Sequence, residues 1–70
     1  MILVSQGADR VFFTDDECHI SVKHEQIVFV RNGKSSVLGE YCSEERAREV
    51  FYEAVNEMMS GATGLFFKGE

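Results

Sequence analysis

Residues 43–61 read SEERAREVFYEAVNEMMSG, and this stretch decides the fold. Ala47, Val50, Phe51, Ala54, Val55 and Met58 recur at helical spacing, which makes one apolar stripe. Ser43 is placed to cap the helix, its hydroxyl accepting from a free amide of the first turn. Glu44 and Glu45 put negative charge at the positive end of the helix dipole. Arg46 stands where a capping box would carry Glu or Gln, so only the hydroxyl half of that device is expected. Gly61 can adopt the left-handed conformation that ends a helix. About 17 residues at a rise near 1.5 Å give roughly 25 Å of helix. A helix of that length is marginal alone in water, so its stripe must pack on something. The preceding chain reads as short strands, and a sheet is the only partner available.

The back of this helix carries two further features. Glu45, Glu49, Glu53 and Glu57 are spaced four apart and form a drifting acidic ridge. Arg46 and Arg48 can partner its first turns, but Glu53 and Glu57 have no helical partner. Tyr52 and Met59 lie off the main stripe and widen it through Val55. They read either as the edge of a broad core or as a contact surface, and the acidic ridge as a solvated face or a contact surface.

Outward from the helix, strands are expected over residues 2–5, 10–14, 18–23, 26–31, 34–41 and 64–68. Cys18 to Lys23 alternates in the manner of a half-buried strand. Asn32-Gly33 is the sharpest local signal, a two-residue hairpin turn whose positive φ angles suit Asn and Gly. It pairs Arg31 with Lys34, Val28 with Val37, Phe29 with Ser36 and Ile27 with Leu38. A tight reversal at His24-Glu25 pairs Val22 with Ile27 and Ile20 with Phe29. Directly paired residues share a face. Ile20, Val22, Ile27, Phe29 and Leu38 therefore face the helix, and His19, Ser21, Lys23, Val28, Val30 and Val37 face away.

This leaves too much apolar surface. Ile27-Val28-Phe29-Val30 is a continuous apolar run, as in a strand buried on both sides. Phe12-Phe13 and Phe66-Phe67 are adjacent aromatics, so each pair points to both faces. One helix covers one face. Val28, Val30, Val37 and one Phe of each pair would then form an exposed patch of the kind that marks contacts. Either the sheet curls into a partial barrel, or a second copy covers the face through a two-fold axis. The dimer is the preferred expectation.

Composition sets the outer limits. Seventy residues make one domain, spanning 1–70, with a thin core that benefits from help such as oligomerisation. The formal net charge of −5 argues against nucleic acid or an anionic membrane as partner. The apolar Ile2-Leu3-Val4 run is too short for a signal peptide or a span, which points to the cytoplasm and no membrane. There Cys18 and Cys42 are expected as free thiols. Proline is absent, so turns rely on Gly, Asn and Asp.

The segment Leu38-Gly39-Glu40-Tyr41-Cys42-Ser43-Glu44-Glu45-Arg46-Ala47-Arg48-Glu49-Val50 resembles one found in a group of small uncharacterised proteins from Firmicutes and their prophages. These carry Leu-Gly-x-Tyr-x-Ser/Thr-Glu-Glu-Arg-Ala entering a helix, and open with a strand like Ile2-Leu3-Val4-Ser5-Gln6. The likeness covers the first six residues and the region from Val37 to Met58. The tail departs from it: the group often ends in an aromatic-Met-Pro segment, where this chain has Phe66-Phe67-Lys68-Gly69-Glu70. The resemblance implies a mobile-element origin and no particular activity. Physically, Gly39 permits a bend or a close approach. Tyr41 would anchor the strand-to-helix corner with its hydroxyl wet.

Residues that could carry chemistry are few. Cys18, His19, His24 and Cys42 are the soft-ligand candidates, but Cys18 and His19 point to opposite faces of a strand and match no zinc spacing. Asp15, Asp16 and Glu17 lack the alternating ligands and bend glycine of a calcium loop. No phosphate loop or Ser/His/Asp arrangement is present. The expectation is an α+β domain, with a curved antiparallel sheet of about five strands on one long C-terminal helix and a short final strand. It would be a non-enzymatic binding module without metal or cofactor. It would engage a second copy or a host protein through Val28, Val30, Val37, Tyr52, Met59, Glu49, Glu53 and Glu57. The alternative is a homo-oligomer that sequesters a small anion in a cleft lined by Lys23, Arg31 and Tyr52.

Overall fold

A computed structural model describes residues 1–15 and 17–67. The chain is α+β. Its elements run β1 (Ile2–Val4), β2 (Val11–Phe13), β3 (Cys18–Lys23), β4 (Gln26–Arg31), β5 (Lys34–Glu40), α1 (Glu44–Met59) and β6 (Gly64–Phe66). Asp16 and Lys68, which the sequence reading put in a turn and in the last strand, lie outside the described residues.

The helix forms as its residues dictate. Ser43 has an extended backbone, and its Oγ accepts from the Arg46 amide at 3.1 Å. At the other end the Gly61 amide donates to the Met58 carbonyl, and the Ala62 amide to the Glu57 carbonyl. Gly61 itself sits at φ +91°. This pair of bonds around a left-handed glycine is a Schellman closure, which satisfies carbonyls the helix leaves open. Ala47 and Ala54 are buried, and Val50, Phe51 and Met58 pack against the core at its margin.

The strands divide into two three-stranded sheets rather than one sheet of five. β3-β4-β5 is an antiparallel meander, while the other sheet has the order β2-β1-β6. In the latter, β1 pairs antiparallel with β2 and parallel with β6. The last strand thus returns beside the first, held by the Ile2 amide on the Thr63 carbonyl and the Phe67 amide on the Val4 carbonyl. The sheets do not close into a barrel. They meet at Gln6, whose amide donates to the Leu38 carbonyl at 2.6 Å. The Gln6 side chain also donates to the Glu40 carbonyl and accepts from the Glu40 amide. One side-chain amide therefore extends the edge of β5 as a strand residue would.

The β3–β4 register is as the turns predict, with Val22 opposite Ile27 and Ile20 opposite Phe29. The hairpin at Asn32-Gly33 has both residues at positive φ and pairs Arg31 with Lys34, Phe29 with Ser36 and Val28 with Val37. The expected Ile27–Leu38 pair does not form. The register shifts between Val28 and Ile27, and Ile27 stands opposite Gly39. Leu38 is the extra residue of a bulge. Its side chain enters the core while its carbonyl turns out to Gln6.

Leu3, Ile27, Phe29, Leu38, Tyr41, Ala47, Ala54, Leu65 and Phe67 form one buried cluster. Phe12 of the small sheet reaches Phe29 of the meander, with ring centroids 4.8 Å apart. The helix and the inner face of the small sheet thus share the task of covering the meander. Tyr41, expected at a wet corner, is buried. Its ring lies over Gly39, where an added Cβ would come within 2.7 Å of the Tyr41 hydroxyl oxygen.

Candidate functional site

The apolar surplus is present, but on the other sheet. Val28, expected in an exposed patch, is only 6% exposed. It occupies the central strand, directly between Ser21 and Val37, with Gln26 and Val30 two residues along on the same face. Cross-strand neighbours a few ångströms away on both sides shut water out. Val30 is half-buried, and Val37, on an outer strand, is exposed.

Among the described residues nothing covers the outer face of the small sheet. Register places Phe13, Ile2 and Gly64 in one row across β2, β1 and β6, and Val11, Val4 and Phe66 in the next. Leu3, Phe12 and Leu65 occupy the opposite, inward side. The outward row residues Ile2, Val11, Phe13 and Phe66 are 41%, 54%, 66% and 51% exposed. Sheets with one solvated face normally alternate apolar with polar residues. Here every outward position of all three strands is apolar or glycine. One phenylalanine of each adjacent pair faces out, as the alternation of strands requires. The sequence reading missed Ile2, Val4, Val11 and Gly64. The available signal was that Ile2-Leu3-Val4, Val11-Phe12-Phe13 and Leu65-Phe66-Phe67 are all runs without a polar residue.

The other expected site residues are dispersed. Tyr52 and Met59 are exposed on the helix, so they are not a core edge. Arg46 pairs with Glu49 at 3.0 Å and Arg48 with Glu44 at 2.8 Å. Glu53 and Glu57 have no ion pair among the described residues, and they border a groove of about 230 Å³ between α1 and β6 floored by Ala54 and Leu65. Lys23 and Arg31 do not line a common cleft within the chain. Lys23 pairs with Gln26 at one end of the β3–β4 hairpin, and Arg31 with Cys18 at the other. The five-residue offset also puts them on opposite faces, and Asp15 engages the Arg31 guanidinium.

Cys18 lies against the core margin, and its Sγ exchanges hydrogen bonds with the Asp15 backbone. Cys42 is exposed. Among the described residues no three His, Cys, Asp or Glu side chains converge as metal ligands would. Among the same residues every buried side-chain polar atom has a hydrogen-bond partner. No helix among the described residues is long and apolar enough to cross a membrane.

The molecule so defined is a small α+β domain whose most distinctive surface is a bare apolar sheet face. No family model matches the chain, and neither a curated protein nor a solved structure does.

Proposed function

We propose that this chain is a non-enzymatic binding module of the cytoplasm that works as a homodimer, joined through the outer face of β2-β1-β6. What supports this reading is the uniform apolarity of that face, with five apolar side chains and a glycine at six outward positions. A polar residue at any of them would leave the core untouched, so the core does not explain their character. Exposed contiguous patches of several hundred Å² mark contact sites on small proteins. The likeness of Leu38–Val50 to prophage-borne proteins suggests a mobile-element origin and leaves the binding argument unchanged. The acidic ridge of Glu49, Glu53 and Glu57, with Tyr52 and Met59 beside it, would then be free for a host protein.

The test is sedimentation velocity on the purified chain and on the Phe13→Lys, Phe66→Lys double variant. The expected result is a dimer for the parent and a folded monomer for the variant. A parent that stays monomeric at its highest soluble concentration overturns the proposal. A native mass spectrum of the same material separates the sequestering alternative, since a co-purified small anion would appear as added mass.

A further inference from the structure

Gly64 is the one position on the bare face without a side chain, and nothing among the described residues requires that. It lies in a regular strand and is not in the left-handed region. A Cβ built there would meet only the Ile2 carbonyl oxygen at 3.5 Å and the Ile2 Cβ at 4.0 Å, which are ordinary contacts. Glycine weakens a strand, and in a strand interior it often marks close approach by another group. Among the described residues no such group arrives on the outward side.

We propose that Gly64 is a notch that receives a phenylalanine ring of a second copy of this chain. The inference rests on the dimer reading above and specifies its packing. Two sheets that stack face to face do so near 10 Å, with strands roughly aligned. A two-fold axis lying between them has two simple settings. With the axis along the strands, β2 of one copy lies over β6 of the other and each row lies over itself. Phe13 then stands over Gly64 of the second copy, Val11 over its Phe66, and Ile2 and Val4 over their own equivalents. With the axis across the strands, each strand lies over itself and the rows exchange. Phe66 then stands over Gly64, Phe13 over Val11, and Ile2 over Val4. In both settings a large side chain meets a small or absent one at each edge strand, and medium ones meet at the centre. Valine in place of Gly64 would add a second valine–phenylalanine contact to the one already made at Val11, leave neither ring a recess, and hold the sheets further apart at that edge.

The area is consistent with this role. At 150–250 Å² per ring, the exposed parts of Phe13 and Phe66, 66% and 51%, amount to roughly 175–290 Å². Ile2, Val4 and Val11 bring the face to several hundred. A standard interface takes about 800 Å² from each partner, so the face supplies the dry centre and its surroundings the rim. Such a dimer dissociates on dilution.

Gly64→Val is the decisive variant. It should keep the far-ultraviolet circular dichroism of the parent and weaken dimerisation at least tenfold by sedimentation. Singly substituted chains, made with Cys18→Ser and Cys42→Ser, give a second readout that does not depend on valine being tolerated. Sheets about 10 Å apart hold facing cysteines too far apart for a direct disulfide. Mixtures of Gly64→Cys with Phe13→Cys chains, or with Phe66→Cys chains, are therefore treated with a short bis-maleimide. One mixture should yield a covalently linked pair, which also fixes the axis. A parent dimer whose Gly64→Val variant dimerises equally well overturns the notch and leaves the dimer standing. So does a parent dimer that gives no linked pair in either mixture. A monomeric parent overturns the underlying reading instead.

Discussion

Gly39 and Gly64 are both strand glycines, and their surroundings separate them. At Gly39 a Cβ would press on the Tyr41 hydroxyl oxygen at 2.7 Å and two carbons of its ring at 3.0 Å, and that side chain is buried. Gly39→Ala should therefore destabilise the fold by about 1–3 kcal/mol, the usual cost of forcing atoms into a filled core. Urea denaturation measures it, and a loss below a few tenths of a kcal/mol would mean the ring repacks freely. Ser5 shows another kind of local control. It is buried, donates from Oγ to Asp9, and accepts there from the Arg10 amide. The hydroxyl thereby adds two bonds to the backbone pairs, Ser5 amide to Arg10 carbonyl and Ala8 amide to Ser5 carbonyl, that close the β1–β2 turn. The role of Ser5 is not legible from residues 5–10 alone, because Ser is common in any turn and its burial depends on the second sheet. Ser43, by contrast, was legible, because a cap needs only the residues that follow it.

The helix invites two substitutions. Ser43→Ala removes the acceptor for the Arg46 amide, and should cost about 1 kcal/mol in the same denaturation. Arg46 occupies the capping-box position, so no reciprocal side-chain bond softens the loss. The last turn carries no basic residue, while Glu57 stands near the negative end of the dipole and four residues from Glu53. Glu57→Lys should stabilise the chain by about 0.3–1 kcal/mol at low salt, and the gain should shrink as salt rises. A salt-independent change would point to packing in the groove by β6 instead. Among the strands, the β3–β4–β5 meander was readable because its turns are local. Asn32-Gly33 dictates its pairs for four residues, until the bulge at Leu38 breaks the count. Gly39 beside that bulge permits a bend but does not fix where it falls. The Leu38 carbonyl accepts there from Gln6, more than thirty residues away.

At the level of the whole molecule, the two sheets and the helix share a small core, and one sheet face is left over. If a second copy covers that face, thermal stability must depend on concentration, since only the folded chain dimerises. The midpoint of unfolding should rise steadily with protein concentration in the parent and stay flat in the Phe13→Lys, Phe66→Lys variant. Scanning calorimetry over a wide dilution series checks this, and equal flatness in both would count against association. The separation of Lys23 from Arg31 belongs to the same scale. Both were candidates for one anion site on grounds of charge, but antiparallel pairing carried them to opposite ends and faces of a hairpin.

By itself the sequence determined the helix, its cap and its stop, the two tight turns of the meander, and the fact that more apolar side chains exist than one helix can hide. These follow from periodicity and turn chemistry, which act over a few residues. Only the tertiary structure decided where the surplus lies. The parallel pairing of Gly64–Phe66 with Ile2–Val4 joins segments some sixty residues apart, and no local signal encodes so long a closure. That pairing splits the strands into two sheets, shelters Phe12 and Leu65 inside, and turns Ile2, Val11, Phe13 and Phe66 to solvent. Val28 went the other way, because a side chain at the middle of a sheet is covered by its neighbours even where no second layer lies above it.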